Sequence, residues 1–193
     1  MTTNIQIENK NEESKIAWIV IIYPVVLLII GVLLNYFLLD INPYEIALPT
    51  ASLVSAFVIS AILLTINHTW IMTATELVRT RYKIHSTPEE WAASGDSEKS
   101  VSEEGVNELK RHHDTHLNTT ENSIYFALLG LPFVIVTPSP MAGYVWLITY
   151  AIGRLGYTYG FLYGKDGVRG LFMSVSLLAM YGMGSYLVAC LLM

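Results

Sequence analysis

The stretch Asp114-Thr115-His116-Leu117-Asn118-Thr119-Thr120-Glu121-Asn122 stands at the mouth of an apolar run long enough to cross a bilayer. Polar and charged groups are costly at that depth and are kept mostly where they serve a function. On a helix, Asn118, Glu121 and Asn122 fall at i, i+3 and i+4. A carboxylate and two amides therefore share one face and can converge on a single polar ligand.

The solvent around this face follows from composition. The chain has 193 residues, 53% of them hydrophobic and only 14% charged, with a mean hydropathy of +0.46. That balance is too apolar for a soluble domain and predicts an all-α integral membrane protein. Runs able to span a hydrocarbon core of about 30 Å occur at 16–39, 46–72, 118–136, 141–162 and 171–193, which predicts five spanning helices. Residues 1–15 form a polar tail that lacks the basic start of a secretory signal. The run after it exceeds a signal's apolar stretch of about 7–15 residues, so the first helix is expected to persist in the mature protein. The single cysteine, Cys190, excludes an internal disulfide and a multi-cysteine metal site.

Charge placement predicts the orientation. Lys10 and Lys15 precede the first helix; Arg79, Arg81, Lys83, Lys99, Lys110 and Arg111 lie between the second and third; Lys165 and Arg169 lie between the fourth and fifth. Five helices put all of these on one side, whereas the opposite loops, 40–45 and 137–140, carry no lysine or arginine. The N-terminus and the loop 80–115 are thus expected in the cytoplasm, and the C-terminus on the other side. Within that loop, Ser86-Thr87-Pro88-Glu89-Glu90-Trp91 has the pattern of a helix start. The acidic, small-residue stretch from Gly95 to Gly105 follows, and 108–115 should resume a helix that runs into the third span. Gly182 and Gly184, with Ser174, Ser176 and Ser185, predict close packing of the last helix.

The polar residues at the cytoplasmic boundary admit more than one ligand. His112 and His116 are one helical turn apart and could share a metal, but only His68, His85 and His113 accompany them, and loop histidines are usually just solvated, so no metal is assigned. An acidic loop gives no support to nucleic-acid binding. A small anionic or zwitterionic ligand suits the set better. Arg79 and Arg81 end the second span, Asn118, Glu121 and Asn122 begin the third, Tyr157 and Phe161 are one turn apart on the fourth, and Arg169 begins the fifth. Arginines can fork onto carboxylates, Glu121 can accept from an ammonium, and Asn118 can bond either. The alternative for each arginine is snorkelling to lipid headgroups, and for the tyrosines an interfacial aromatic belt.

Arg154 lies about three turns inside the fourth span, where an unpaired guanidinium is expensive. Glu121 and Asn122 are the nearest plausible partners, and a structural ion pair between Arg154 and Glu121 is expected.

Taken together, these residues resemble the MAPEG superfamily, the membrane-associated proteins of eicosanoid and glutathione metabolism. His116-Leu117-Asn118-Thr119-Thr120-Glu121-Asn122 is similar to that superfamily's His-x-Asn-x-x-Glu-Asn signature. Val78-Arg79-Thr80-Arg81 and the later Ser86-Thr87-Pro88-Glu89-Glu90 resemble the end of its first helix and the turn that follows. Gly153-Arg154 with Tyr157, Phe161 and Gly164-Lys165 resembles its third helix, and Arg169 its fourth-helix arginine. Four such motifs in order carry more weight than any one alone. Asp114 stands where many members have arginine, with Arg111 one turn earlier, and Phe161 stands where tyrosine is common.

The resemblance implies a four-helix transmembrane bundle over 46–193, preceded by one extra N-terminal transmembrane helix, 16–39. It implies a homotrimer that holds glutathione as co-substrate between subunits and takes lipophilic molecules or lipids from the bilayer. Arg79, Arg81, Asn118, Glu121, Tyr157 and Arg169 would then contact glutathione. Arg169 would stabilise the thiolate, with Tyr157 beside it as the second catalytic candidate. The function so implied is a glutathione-dependent transferase or peroxidase on lipophilic electrophiles or lipid hydroperoxides. The alternatives are a non-enzymatic lipid-binding or lipid-presenting protein and a structural subunit without thiol chemistry. The expected location is a multi-pass position in a bacterial inner membrane, or an endomembrane in a eukaryote.

Overall fold

Four hydroxyl residues set helix starts in this chain. Thr50, Thr87 and Ser102 adopt extended backbone, and their side chains and that of Ser139 accept from the backbone N–H of Leu53, Glu90, Gly105 and Ala142 respectively. Each bond satisfies one of the N–H groups that a first helical turn leaves without a partner. Pro88 and Pro140 occupy first helical positions, where the missing N–H costs nothing.

The computed structural model describes residues 2–43 and 45–193, with side chains from Lys15 onward. The side chains of the polar tail, Lys10 among them, lie outside the described residues. The elements in chain order are α1 (Thr2–Leu38), α2 (Ala51–Tyr82), the short α3 (Pro88–Ser94), α4 (Glu103–Ile135), α5 (Pro140–Leu162) and α6 (Asp166–Leu192). A single 3-10 turn, Glu98–Ser100, interrupts the loop between α3 and α4, and no strand occurs among the described residues. The helix expected after Ser86 is α3. The one expected over 108–115 is the first half of α4, continuous with its apolar second half.

Among the described residues, three helices are long and apolar enough to cross a membrane: α1 over Lys15–Leu38, α2 and α6. The other two long helices fall short on hydropathy, for different reasons. The first half of α4 is charged, with Glu103, Glu104, Glu108, Lys110 and Arg111. Helix α5 mixes its apolar residues with glycines, tyrosines and Arg154, of which Gly143, Tyr150, Gly153, Arg154, Tyr157 and Gly160 are buried inside the bundle whereas Tyr144 and Tyr159 are exposed. A span whose surface is covered by neighbouring helices need not be apolar all round.

Helix α5 is the centre of the fold and packs against α2, α4 and α6. Its Trp146, Leu147, Tyr150 and Ala151 are buried together with Leu53 of α2, Phe126 and Phe133 of α4, and Met183 and Tyr186 of α6. The Phe126 and Tyr150 rings stack with centroids 4.2 Å apart. Helices α5 and α6 approach closely because Gly153 has no side chain: a Cβ there would lie 2.8 Å from the Ser176 backbone nitrogen. Gly182 leaves room for the Trp146 ring in the same way, whereas Gly184 faces open space.

Helix α1 packs on α6 and touches the rest of the bundle mainly there. Tyr23 donates to Ser174 Oγ at 2.6 Å, and the buried Asn35 donates to the Gly182 carbonyl at 2.8 Å and to Ser185 Oγ at 2.9 Å. The loop between α1 and α2 is fastened at the same end. Asn42 donates to the Thr137 carbonyl, Ser139 to the Leu39 carbonyl, and the Tyr186 hydroxyl to the Asp40 carbonyl. The loops without lysine or arginine thus meet at one end of the bundle. Arg79, Arg111 and Arg169 lie at the other, where Arg79 contacts His113 and Arg111 borders the α5–α6 turn at Gly164.

Candidate functional site

The site grows from Arg154, which α5 carries into the centre of the bundle with no exposed surface. Its Nη2 donates to Asn118 Oδ1 and to Thr119 Oγ1, both at 2.9 Å, and its Nη1 lies 3.8 Å from the sulfur of Met173 on α6. The guanidinium sits over the Tyr157 ring at 4.3 Å from the centroid. These contacts are all neutral, and Nε has no hydrogen-bond partner among the described residues. The polar stretch midway along α4 is therefore held by a buried cation.

The expected Arg154–Glu121 ion pair is not formed among the described residues. Glu121 is exposed. The cause is the helical phase of α4. Thr115 and Thr119 point into the bundle with His112 and Phe126, Asn118 flanks them, and Glu121 falls on the outer face. Asn122 turns back along its own helix and donates to the Asn118 carbonyl at 2.8 Å and to Asn118 Oδ1 at 3.4 Å.

From Arg154 a line of contacts runs to the end of the bundle. The Tyr157 and Phe161 rings are 5.7 Å apart, and the Arg169 guanidinium lies 5.2 Å from the Phe161 centroid. Arg169 also pairs with Asp166 at 3.2 Å, in an exposed setting where such a bond contributes little. Gly160 lets α6 begin this close: a Cβ there would stand 2.5 Å from the Arg169 backbone nitrogen. Asn118, Arg154, Tyr157 and Arg169 are thereby gathered on α4, α5 and α6.

Arg79 and Arg81 belong to a second group. Arg79 contacts Glu76 at 3.7 Å and His113 at 3.5 Å, and Arg81 lies over the Tyr82 ring. No described contact joins either arginine to Tyr157 or Arg169. Burial, and then the positive charge of Arg79, lower the pKa of the His113 imidazole below its ordinary value. An outward-facing groove of about 450 Å³ runs between α2 and α4, lined by Leu64, His68, Thr119, Thr120, Ser123 and Ile124.

The histidines of the signature stretch diverge. His112 Nδ1 lies 2.9 Å from the Glu108 carbonyl, His113 meets Arg79, and His116 Nε2 lies 3.2 Å from His68 Nδ1 on α2. No group of three or more potential ligands gathers among the described residues.

Sequence reasoning missed Thr119, Met173 and Asn35. Asn35 was legible, because a lone amide in an apolar span needs a partner. The role of Met173 had no signal, since a methionine on an apolar helix ordinarily only packs.

The MAPEG family model matches residues 57–189, most of the chain and all of the residues just described from His68 to Arg169. No curated protein matches the chain.

Proposed function

The chain belongs to the MAPEG family, and we propose on that basis that it is a membrane-bound, glutathione-dependent transferase or peroxidase for lipophilic substrates. The observation that carries the reading is the continuous set Asn118, Arg154, Tyr157, Phe161 and Arg169, which runs from membrane depth to the basic end of the bundle. Arg169 supplies a cation where a small anionic thiol arrives, and Tyr157 supplies a hydroxyl one turn deeper. The groove between α2 and α4 offers an apolar molecule a place beside Thr119 and Thr120.

Arg79 and Arg81 stand apart from Tyr157 and Arg169 within one chain. In the proposed homotrimer they complete the site from a neighbouring subunit, and Glu121, exposed on α4, faces the ligand or that neighbour. Residues 46–193 form the four-helix membrane domain, α4 and α5 crossing the bilayer with α2 and α6. Residues 16–39 are an additional span and 1–15 a cytoplasmic tail, with the loop 80–115 on the same side.

Chemically, a thiol of pKa about 8.5 is mostly protonated at neutral pH, and the Arg169 cation favours the thiolate. In transfer, the thiolate sulfur forms a bond to an electrophilic carbon, either displacing a leaving group that departs as its anion or adding to an activated double bond whose electron pair then takes up a proton. In peroxide reduction it attacks the terminal peroxide oxygen, giving the sulfenic acid and an alkoxide that takes up a proton. A second glutathione then condenses with the sulfenic acid to the disulfide and water.

Thermal stabilisation of the detergent-purified protein by glutathione and by glutathione sulfonate tests the reading. A ligand at a hundred times its dissociation constant adds about 2.7 kcal/mol. No shift with either compound overturns it.

A further inference from the structure

We propose that Arg154 is a positioning residue that locks the Asn118 side chain in one orientation, making Asn118 a donor toward its ligand and so selecting a carboxylate. The inference rests on the reading of this site as a glutathione site.

The argument begins with what a guanidinium can do. It carries five N–H donors and no acceptor, so the Asn118 atom that faces it at 2.9 Å must be the amide oxygen. That oxygen receives a second donor, the Asn122 amide nitrogen, at 3.4 Å. Rotating the Asn118 amide by half a turn would place its NH2 against two donors, one of them a full positive charge buried from water. Arg154 cannot withdraw, because it has no exposed surface and its other Nη2 acceptor, Thr119, holds it in place. A solvated asparagine presents either end to a ligand; this one presents a single end.

The free end is Nδ2, which has no partner among the described residues, on a side chain that remains partly exposed. Asn118 therefore offers N–H groups to whatever binds and no acceptor. A ligand carboxylate can accept from them, whereas a ligand ammonium has nothing to meet there. The charge of Arg154 reinforces the choice from behind. It has no anionic partner among its described contacts, and a buried cation polarises the amide toward an anion on its far side.

Two variants test this in detergent-purified protein, by thermal melting without ligand and by calorimetric titration with glutathione and with its diester, in which both carboxylates are esterified. Asn118→Asp is expected to melt higher than the parent, because a carboxylate then faces the buried guanidinium. It is also expected to bind glutathione at least tenfold more weakly, because the donor has become an acceptor. A purely structural contact would yield the first result without the second. Arg154→Leu frees the Asn118 amide to turn, and the preference for glutathione over its diester should narrow at least threefold.

A lower melting temperature or loss of folding in Asn118→Asp overturns the lock. Glutathione affinity within threefold of the parent in Asn118→Asp, or an unchanged preference in Arg154→Leu, overturns the carboxylate selection. If the parent itself does not bind glutathione, the proposed function and the carboxylate selection fall together. The melting of Asn118→Asp then decides the lock alone.

Discussion

The indole Nε1 of Trp146 donates to Oδ1 of Asn35 at 2.7 Å, across 111 residues of sequence and with both side chains buried. Asn35 spends its two N–H groups on Gly182 and Ser185, so one amide ties α1 to both α5 and α6. The first helix is thus keyed into the bundle through a polar contact that lipid cannot replace. Asn35→Leu strands the Trp146 N–H, and a buried group left unpaired costs about 1–3 kcal/mol, whereas the Gly182 carbonyl keeps the Ser185 hydroxyl as a donor. A drop in melting temperature should follow, and an Asn35→Leu protein as stable as the parent would show that α1 is held by apolar packing alone.

Arg169→Ala and Asn118→Ala should each weaken glutathione binding while the fold persists, since both side chains are partly exposed at the site. Removing one partner of a charge-assisted contact costs about 1.5–3 kcal/mol, roughly tenfold or more in affinity. Arg169→Ala should also diminish the thiolate absorbance that appears on binding. Parent-like affinity in both variants would remove these residues from the site.

Gly160→Ala should move Arg169 without touching its charge. The added methyl would stand 2.5 Å from the Arg169 nitrogen and 2.8 Å from its Cα, so the first turn of α6 has to shift. Catalytic rate and glutathione affinity are expected to fall together in activity assays. If Gly160→Ala alters neither, the position of Arg169 is not critical.

Topology can be read by labelling single cysteines in intact cells on a Cys190→Ser background. Ser97→Cys lies in the loop between α3 and α4, and Leu48→Cys in the opposite loop, where Leu48 is 93% exposed. An impermeant maleimide should label Leu48→Cys and spare Ser97→Cys. The reverse pattern would invert the orientation argued from the lysines and arginines.

His113 should make folding sensitive to acid. Burial and Arg79 hold its pKa below the ordinary 6.5, so as pH falls through about 6.5 the unfolded chain binds a proton that the folded chain resists. Stability contributed by the neutral imidazole is complete above that pH and declines below it. Melting curves between pH 7.5 and 5 should therefore decline less steeply for His113→Gln than for the parent, and equal slopes would exclude the effect.

Much of the architecture was legible in one dimension. Apolar runs of sufficient length marked the helices, the Ser86-Thr87-Pro88 run marked the start of α3, and the order of motifs around Asn118, Tyr157 and Arg169 pointed to the family. These are local properties: hydropathy, capping and helical spacing act within a few residues, so the sequence alone carries them. The partner of Arg154 was not local. Sequence spacing offered Glu121 and Asn122 as its partners, and charge alone favoured the carboxylate. Packing against α5 decided otherwise, because the rotation of α4 that buries Thr115, Thr119 and Phe126 turns Glu121 outward and leaves Asn118 and Thr119 to meet the guanidinium. The anchoring of α1 by Asn35 was decided in the same way. A polar group in a span announces that it needs a partner, but which residue answers depends on helix phase and close approach, and those exist only once the helices have packed.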